Sequence, residues 1–159
     1  ADGHAMISRA AQAAVATGEN LTGLDQFTPL FDAKAVDIVQ TGSVWGVTHF
    51  NRVAAAAHAH NLPVSPVGYD CNPVAHAAAA APNMLGIEIQ DFGFPLGLSV
   101  DQEIADGGLI LGDKPGIGID VDEAAIVANR TNGSWSSAKG PHVRPRRAGL
   151  DLVPTKRTP

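Results

Sequence analysis

Two carboxylates stand at or inside short apolar runs, where the backbone could hold them for chemistry. Glu19 follows Ala14-Val15-Ala16-Thr17 in the polar loop Gly18-Glu19-Asn20. A carboxylate there is either a solvated acid or an oxygen ligand for a hard cation. Glu88 lies inside Leu85-Gly86-Ile87-Glu88-Ile89. An isolated buried carboxylate is costly, so Glu88 should have partners, either a substrate or a structural ion pair. Asn20, next to Glu19, is a candidate for touching substrate. Tyr69, Asp70 and Asn72 share one loop, and Trp45 and His49 flank another. Other polar residues read as structure. His58 and His60 are two apart on a helix and point different ways. His76 sits among alanines as a packed core histidine. Cys71 is the single cysteine and lacks an evident base, and a lone cysteine excludes a disulfide framework. Gly116-Ile117-Gly118 lacks the third glycine and preceding strand of a dinucleotide loop.

These residues need elements to position them. Residues 5–13 favour helix, and 14–17 read as a buried strand. Leu24, Phe27, Leu30 and Phe31 fall at helical spacing, which predicts a helix over 24–35. Residues 36–40 form a second strand candidate, broken by Thr41-Gly42-Ser43. Phe50, Val53 and Ala57 line one stripe of a predicted helix over 47–59. Residues 64–67 read as a third strand. Pro73 suits a helix start, with the helix continuing over 74–81. Residues 85–89 read as a fourth strand. Strands alternating with helices predict a parallel sheet. Their spacing of roughly 22 residues suits the repeated unit of a (β/α)8 barrel. Beyond Asp91, residues 107–112 and 115–120 look like two strands joined by a turn, and Asp122 can cap a last helix through Ala128.

The chain has 159 residues, 45% apolar and 17% charged, an ordinary globular composition that excludes a wholly disordered chain. No apolar run reaches the ~18 residues of a membrane span. No leader suggests secretion, so a cytoplasmic location is expected. Ala1 stands where an initiator methionine would, so a piece of something longer is expected. Residues 1–129 carry 4 basic and 15 acidic groups, and residues 130–159 carry 7 and 1. This asymmetry predicts a body over 1–129 and a basic, proline-containing tail over 130–159. Arg144, Arg146 and Arg147 could meet phosphates. The acidic body and missing aromatic pattern argue against nucleic acid, and favour a tail that packs on the body or another subunit.

The ordered series Thr17-Gly18-Glu19-Asn20, Asp37-Ile38-Val39-Gln40, Gly46-Val47-Thr48, Leu62-Pro63-Val64-Ser65, Ala81-Pro82-Asn83, Glu88, Asp106-Gly107-Gly108 and 112–120 resembles a known family. It is similar to the C-terminal part of the enolase superfamily, in the mandelate racemase/muconate lactonizing enzyme group, over roughly residues 5–128. The resemblance implies an α/β fold: the C-terminal half of a (β/α)8 barrel, with about four parallel βα units, a short β-hairpin and the tail. It also implies removal of a proton next to a carboxylate, with Mg2+ stabilising the anion formed. Glu19 matches one metal ligand, while two others and a lysine pair would lie upstream. Glu88 matches a carboxylate that contacts substrate as a proton donor in some relatives. Loops at the carboxyl ends of barrel strands build the active site, which makes Tyr69 and Asp70 candidate substrate contacts with Asn20.

Departures from the pattern narrow the chemistry. Many relatives pair an Asp and a His as a base, and here Gly42 and Val67 stand at those positions. A two-base racemase is thereby disfavoured against a dehydratase using one upstream base. The expected activity is that of a Mg2+-dependent acid-sugar dehydratase, a lyase acting on a small carboxylate and oligomeric at full length. The chain alone is expected to be inactive. The alternatives are a racemase or cycloisomerase, or a truncated paralogue acting only in assembly.

Overall fold

The computed structural model describes residues 1–69, 73–90 and 97–130. Helix α1 (Asp2–Ala10) carries Asp2 in its first turn and Arg9 in its last, both favourable to the helix dipole. It stops three residues short of the predicted end. Strand β1 (Ala16–Thr17) follows, then α2 (Leu24–Asp32), β2 (Ile38–Val39) and a 3-10 turn over Ser43–Trp45. Next come α3 (Gly46–Ala59), β3 (Val67–Tyr69), α4 (Ala75–Ala80) and β4 (Glu88–Gln90).

Four parallel segments lie side by side in chain order. Ala16 and Thr17 pair with Ile38 and Val39, and Val67–Tyr69 pair with Glu88–Gln90. Single parallel bridges join Val39 to Val64, Gly42 to Val67, and Val64 to Met84. The regular strands are shorter than the sequence predicts, because bridges rather than full ladders connect them. Between Met84 and Glu88 the fourth segment holds one more residue than Val64–Val67 opposite it. Such a bulge re-aims the side chains that follow, Glu88 among them.

The helices cover one face of this arrangement. Phe27, Leu30 and Phe31 of α2, Phe50, Val53 and Ala57 of α3, and Ala78 of α4 form one core with Val39 and Val64. Phe27, Phe50, Val39, Val53 and Val64 are all 0–1% exposed. Each large apolar side chain so buried contributes about 1.5–3 kcal/mol.

Helix ends explain where the pattern stops. Lys34 takes φ 50°, and Ala35 N–H donates to the Leu30 carbonyl at 2.8 Å. This left-handed closure ends α2 at Asp32, before the predicted Ala35. Asn61 (φ 57°) does the same for α3, with Leu62 N–H donating to the Ala57 carbonyl at 2.9 Å. Asp37 ties the opposite end together. Its carboxylate accepts from Val15 N–H at 2.7 Å and from Ser8 Oγ at 3.2 Å. Such charge-assisted bonds contribute about 1.5–3 kcal/mol each.

After residue 97 the topology differs from the expected hairpin. Strand β7 (Gly108–Leu111) pairs antiparallel with β6 (Gln102–Ala105), not with residues 115–120. The cause is Asp106-Gly107, with φ 51° and 77°, the two-residue turn that matches strand twist. Strand β8 (Ile119–Val121) pairs instead with β5 (Leu98–Val100). Helix α5 (Glu123–Ala128) is capped as predicted, with Asp122 Oδ1 accepting from Ala125 N–H at 2.9 Å. Among the described residues no helix is long and apolar enough to cross a membrane.

Candidate active site

Glu19 lies two residues past β1, at its carboxyl end, and its side chain is exposed. The loop that carries it is fixed by backbone packing. Gly18 has φ 128°, and a Cβ there would sit 2.7 Å from Phe27 Cε1 and inside contact of the Gln40 carbonyl. Only glycine fits that conformation and space. On the other side, Trp45 Nε1 donates to the Glu19 carbonyl at 3.4 Å. Trp45 thus braces the loop. Asn20 is exposed beside Glu19.

Glu88 is half-buried, level with Val67 of β3 and, through it, with Gly42 just past β2. It has the partners its setting demands, but they are amides. Gln40 Nε2 donates to Glu88 Oε2 at 3.0 Å, and Gln90 Nε2 donates to Oε1 at 2.7 Å. Sequence reasoning missed both glutamines. The available signals were strand alternation, which puts Gln90 on the face of Glu88, and the position of Gln40 next to core residue Val39. The end of β2 lies between the two acids: Gln40 reaches Glu88, while Gly42 packs on the Glu19 backbone.

Tyr69 ends β3, at the carboxyl side of that strand. Asp70, Cys71 and Asn72 lie outside the described residues. His49 is packed rather than poised. Its ring lies 6.1 Å from that of Phe27, and burial, then the Arg52 charge, pushes its pKa down. His58 and His60 are exposed, with His60 5.3 Å from the Phe31 ring.

Gly42 and Val67 carry no ionisable group, and the backbone at Gly42 leaves no room to add one. Both are buried, and a Cβ on Gly42 would lie 2.6 Å from the Glu19 carbonyl and 3.2 Å from the Trp45 ring. Gly42→Asp should therefore push the Glu19 loop aside rather than install a base. The expected loss is about 1–3 kcal/mol, the range for overpacking. Chemical denaturation should show a lowered midpoint; an unchanged midpoint would contradict the packing argument.

Residues 1–125 match the family described as enolase C-terminal domain-like. The chain belongs to the enolase superfamily. Its solved neighbours include members of the mandelate racemase/muconate lactonizing enzyme group. This enolase-superfamily chain is 30% identical over 122 residues to 3,6-anhydro-alpha-L-galactonate cycloisomerase of Streptomyces coelicolor, covering 76% of this chain and 34% of that protein. It is 26% identical over 155 residues to a D-galactonate dehydratase family member of Salmonella virchow, covering 86% and 36%. Its fold matches L-talarate dehydratase of Polaromonas sp. JS666, solved with Mg and L-glucarate, at TM-score 0.69 and 25% identity, covering 82% and 36%. The chain thus spans about a third of the length of these relatives. Its mixed α/β fold resembles the enolase-type C-terminal barrel domain.

A superfamily metal would need oxygen donors. Glu19 has the right chemistry and exposure for one. Among the described residues no group of three or more His, Cys, Asp or Glu could hold an ion.

Proposed function

We propose that this chain supplies the C-terminal half of the catalytic barrel of an acid-sugar dehydratase. The observation that carries the reading is the placement of Glu19 two residues past β1 and of Glu88, the first residue of β4, level through Val67 with Gly42 just past the carboxyl end of β2. The carboxyl side builds active sites in barrels of this kind. The chemistry would be removal of a proton alpha to a carboxylate, loss of the adjacent hydroxyl, and tautomerisation to a 2-keto-3-deoxy acid. Mg2+, when bound, would supply electrostatic stabilisation of the anion formed. Glu19 would be one of its carboxylate ligands, held in place by Gly18 and Trp45. Glu88 would face substrate from the fourth strand. Asn20, Tyr69 and Asp70 would contact substrate from the loops. The basic residues 130–159 would form a tail packed on the acidic body or on another subunit.

Dehydration is favoured over two-base racemisation because Gly42 and Val67 occupy the base positions. The cycloisomerase relative supports a second reading of the same proton abstraction with a different leaving group. The natural-length protein containing this chain should convert at least one of D-galactonate, D-xylonate or L-talarate to a 2-keto-3-deoxy acid in the presence of Mg2+. The product is detected as its semicarbazone. A cyclic product, or turnover of none of the three, would remove the dehydratase reading.

A further inference from the structure

Trp45 is the largest side chain beside Glu19, and bracing the Glu19 loop occupies only one edge of it. It closes the 3-10 turn Ser43–Trp45 beyond β2. Nε1–H donates to the Glu19 carbonyl at 3.4 Å, and Nε1 and Cδ1 both lie against Gly42, where a Cβ would be 3.2 Å from each. The Trp45 backbone N–H donates to the Gly42 carbonyl at 3.3 Å. The pyrrole edge is therefore fixed, yet the residue is 36% exposed. Among the described residues no second ring stacks on it.

This orientation inverts the usual one for a half-exposed indole. Tryptophan ordinarily buries its apolar body and leaves its N–H to water. Here the N–H edge is turned to a backbone carbonyl, and the six-membered ring is the part not committed to the loop. Exposed apolar residues scattered singly carry no meaning by themselves. Trp45 differs because its place is set: it is anchored past the carboxyl end of β2, on the backbone of the candidate metal ligand Glu19. An aromatic face is the negative part of the ring quadrupole. It attracts weakly positive C–H groups and repels a carboxylate. An open-chain polyhydroxy acid carries both, C–H bonds along its carbon chain and a carboxylate at one end.

We propose that Trp45 contacts substrate: its six-membered ring forms a wall of the site, and the carbon chain of an acid sugar lies against that wall with its carboxylate turned away. The ligand class rests on the dehydratase reading. The wall itself rests on how the indole is anchored. It gives the second loop a part in choosing substrate by the shape of the carbon chain rather than by charge.

The natural-length protein carries the test. With 5-fluorotryptophan in place of tryptophan, the Trp45 fluorine resonance is identified by its absence from Trp45→Phe or Trp45→Leu, whichever keeps native circular dichroism. Without sugar it should move between H2O and D2O, the sign of a wet ring. With Mg2+ and saturating D-galactonate, D-xylonate or L-talarate it should shift, and the solvent effect should shrink. The Phe and Leu variants both lose the N–H bond to Glu19, so a difference between them reads the aromatic face. KM for the acid sugar should be roughly three- to tenfold higher in Trp45→Leu than in Trp45→Phe, the range of an aromatic contact, with kcat and Mg2+ affinity alike in the two. Equal KM values would leave Trp45 a brace only and overturn the proposal. A dry ring in the sugar-free protein, or a resonance unmoved by a sugar that is turned over, would overturn it too and leave the dehydratase reading intact. A resonance moved by a sugar that is not dehydrated would remove that reading and keep the wall. A resonance unmoved by all three sugars, none of them turned over, would sink both.

Discussion

Expressed alone, this chain should self-associate and turn over no acid sugar. Among the described residues nothing pairs with the outer edge of β1 or of β4. Unpaired edges recruit other chains. Apolar surface is bare as well: Met6 is 66% exposed, Ile7 58% and Leu85 61%. Bare apolar area drives association. The charge division adds an electrostatic route, since residues 1–129 are acidic and 130–159 basic. Light scattering should give species larger than a monomer at low salt. Moderate salt should reduce the electrostatic part, because screening shortens its reach to about 10 Å at 0.1 M. The apolar part should remain. Activity should be absent because among the described residues no group of three or more His, Cys, Asp or Glu could hold a metal ion. A cooperative monomer with measurable dehydratase turnover would overturn both the half-barrel reading and the assignment of essential groups to other parts of the protein.

The elements that the sequence declares best are those whose signal is local. The helical stripe of Phe50, Val53 and Ala57 predicts α3 to within one residue, because every third or fourth side chain faces the same core. Asp122 announces α5 because an N-cap bond is made three residues away. Strand order was legible for a related reason: short apolar runs between helices can only return in parallel. What was illegible depended on backbone sign and on distant partners. Lys34 ends α2 through a left-handed φ that lysine does not advertise. The pairing of residues 107–112 departs from expectation because Asp106-Gly107 selects the partner strand by turn geometry rather than by hydrophobicity. In the site, Glu19 stands out as an acid just past a strand and Glu88 as an acid inside an apolar one. Gln40 does not, because its bond to Glu88 joins residues 48 apart in sequence and crosses a strand between them.

Replacing Glu19 by glutamine in the natural-length protein should weaken Mg2+ binding at least about 100-fold. The floor comes from groups that merely orient ligands, whose loss already weakens metal affinity 10–100-fold. Glutamine keeps the size and one oxygen of Glu19 but removes its charge, and a hard cation is held chiefly by anionic and neutral oxygens in number. The change is also clean structurally. The Glu19 side chain is exposed, and the backbone around it is fixed by Gly18, Gly42 and Trp45, which the substitution leaves alone. Stability should therefore stay within about 0.5 kcal/mol, as for other surface substitutions. Calorimetry then separates two accounts of the site. If Glu19 is one ligand among several that other parts of the protein provide, the natural-length protein binds Mg2+ and loses it on Glu19→Gln, while the 159-residue chain binds weakly with or without the substitution. Micromolar binding by the 159-residue chain, abolished by Glu19→Gln, would instead mean that this chain completes the metal site by itself.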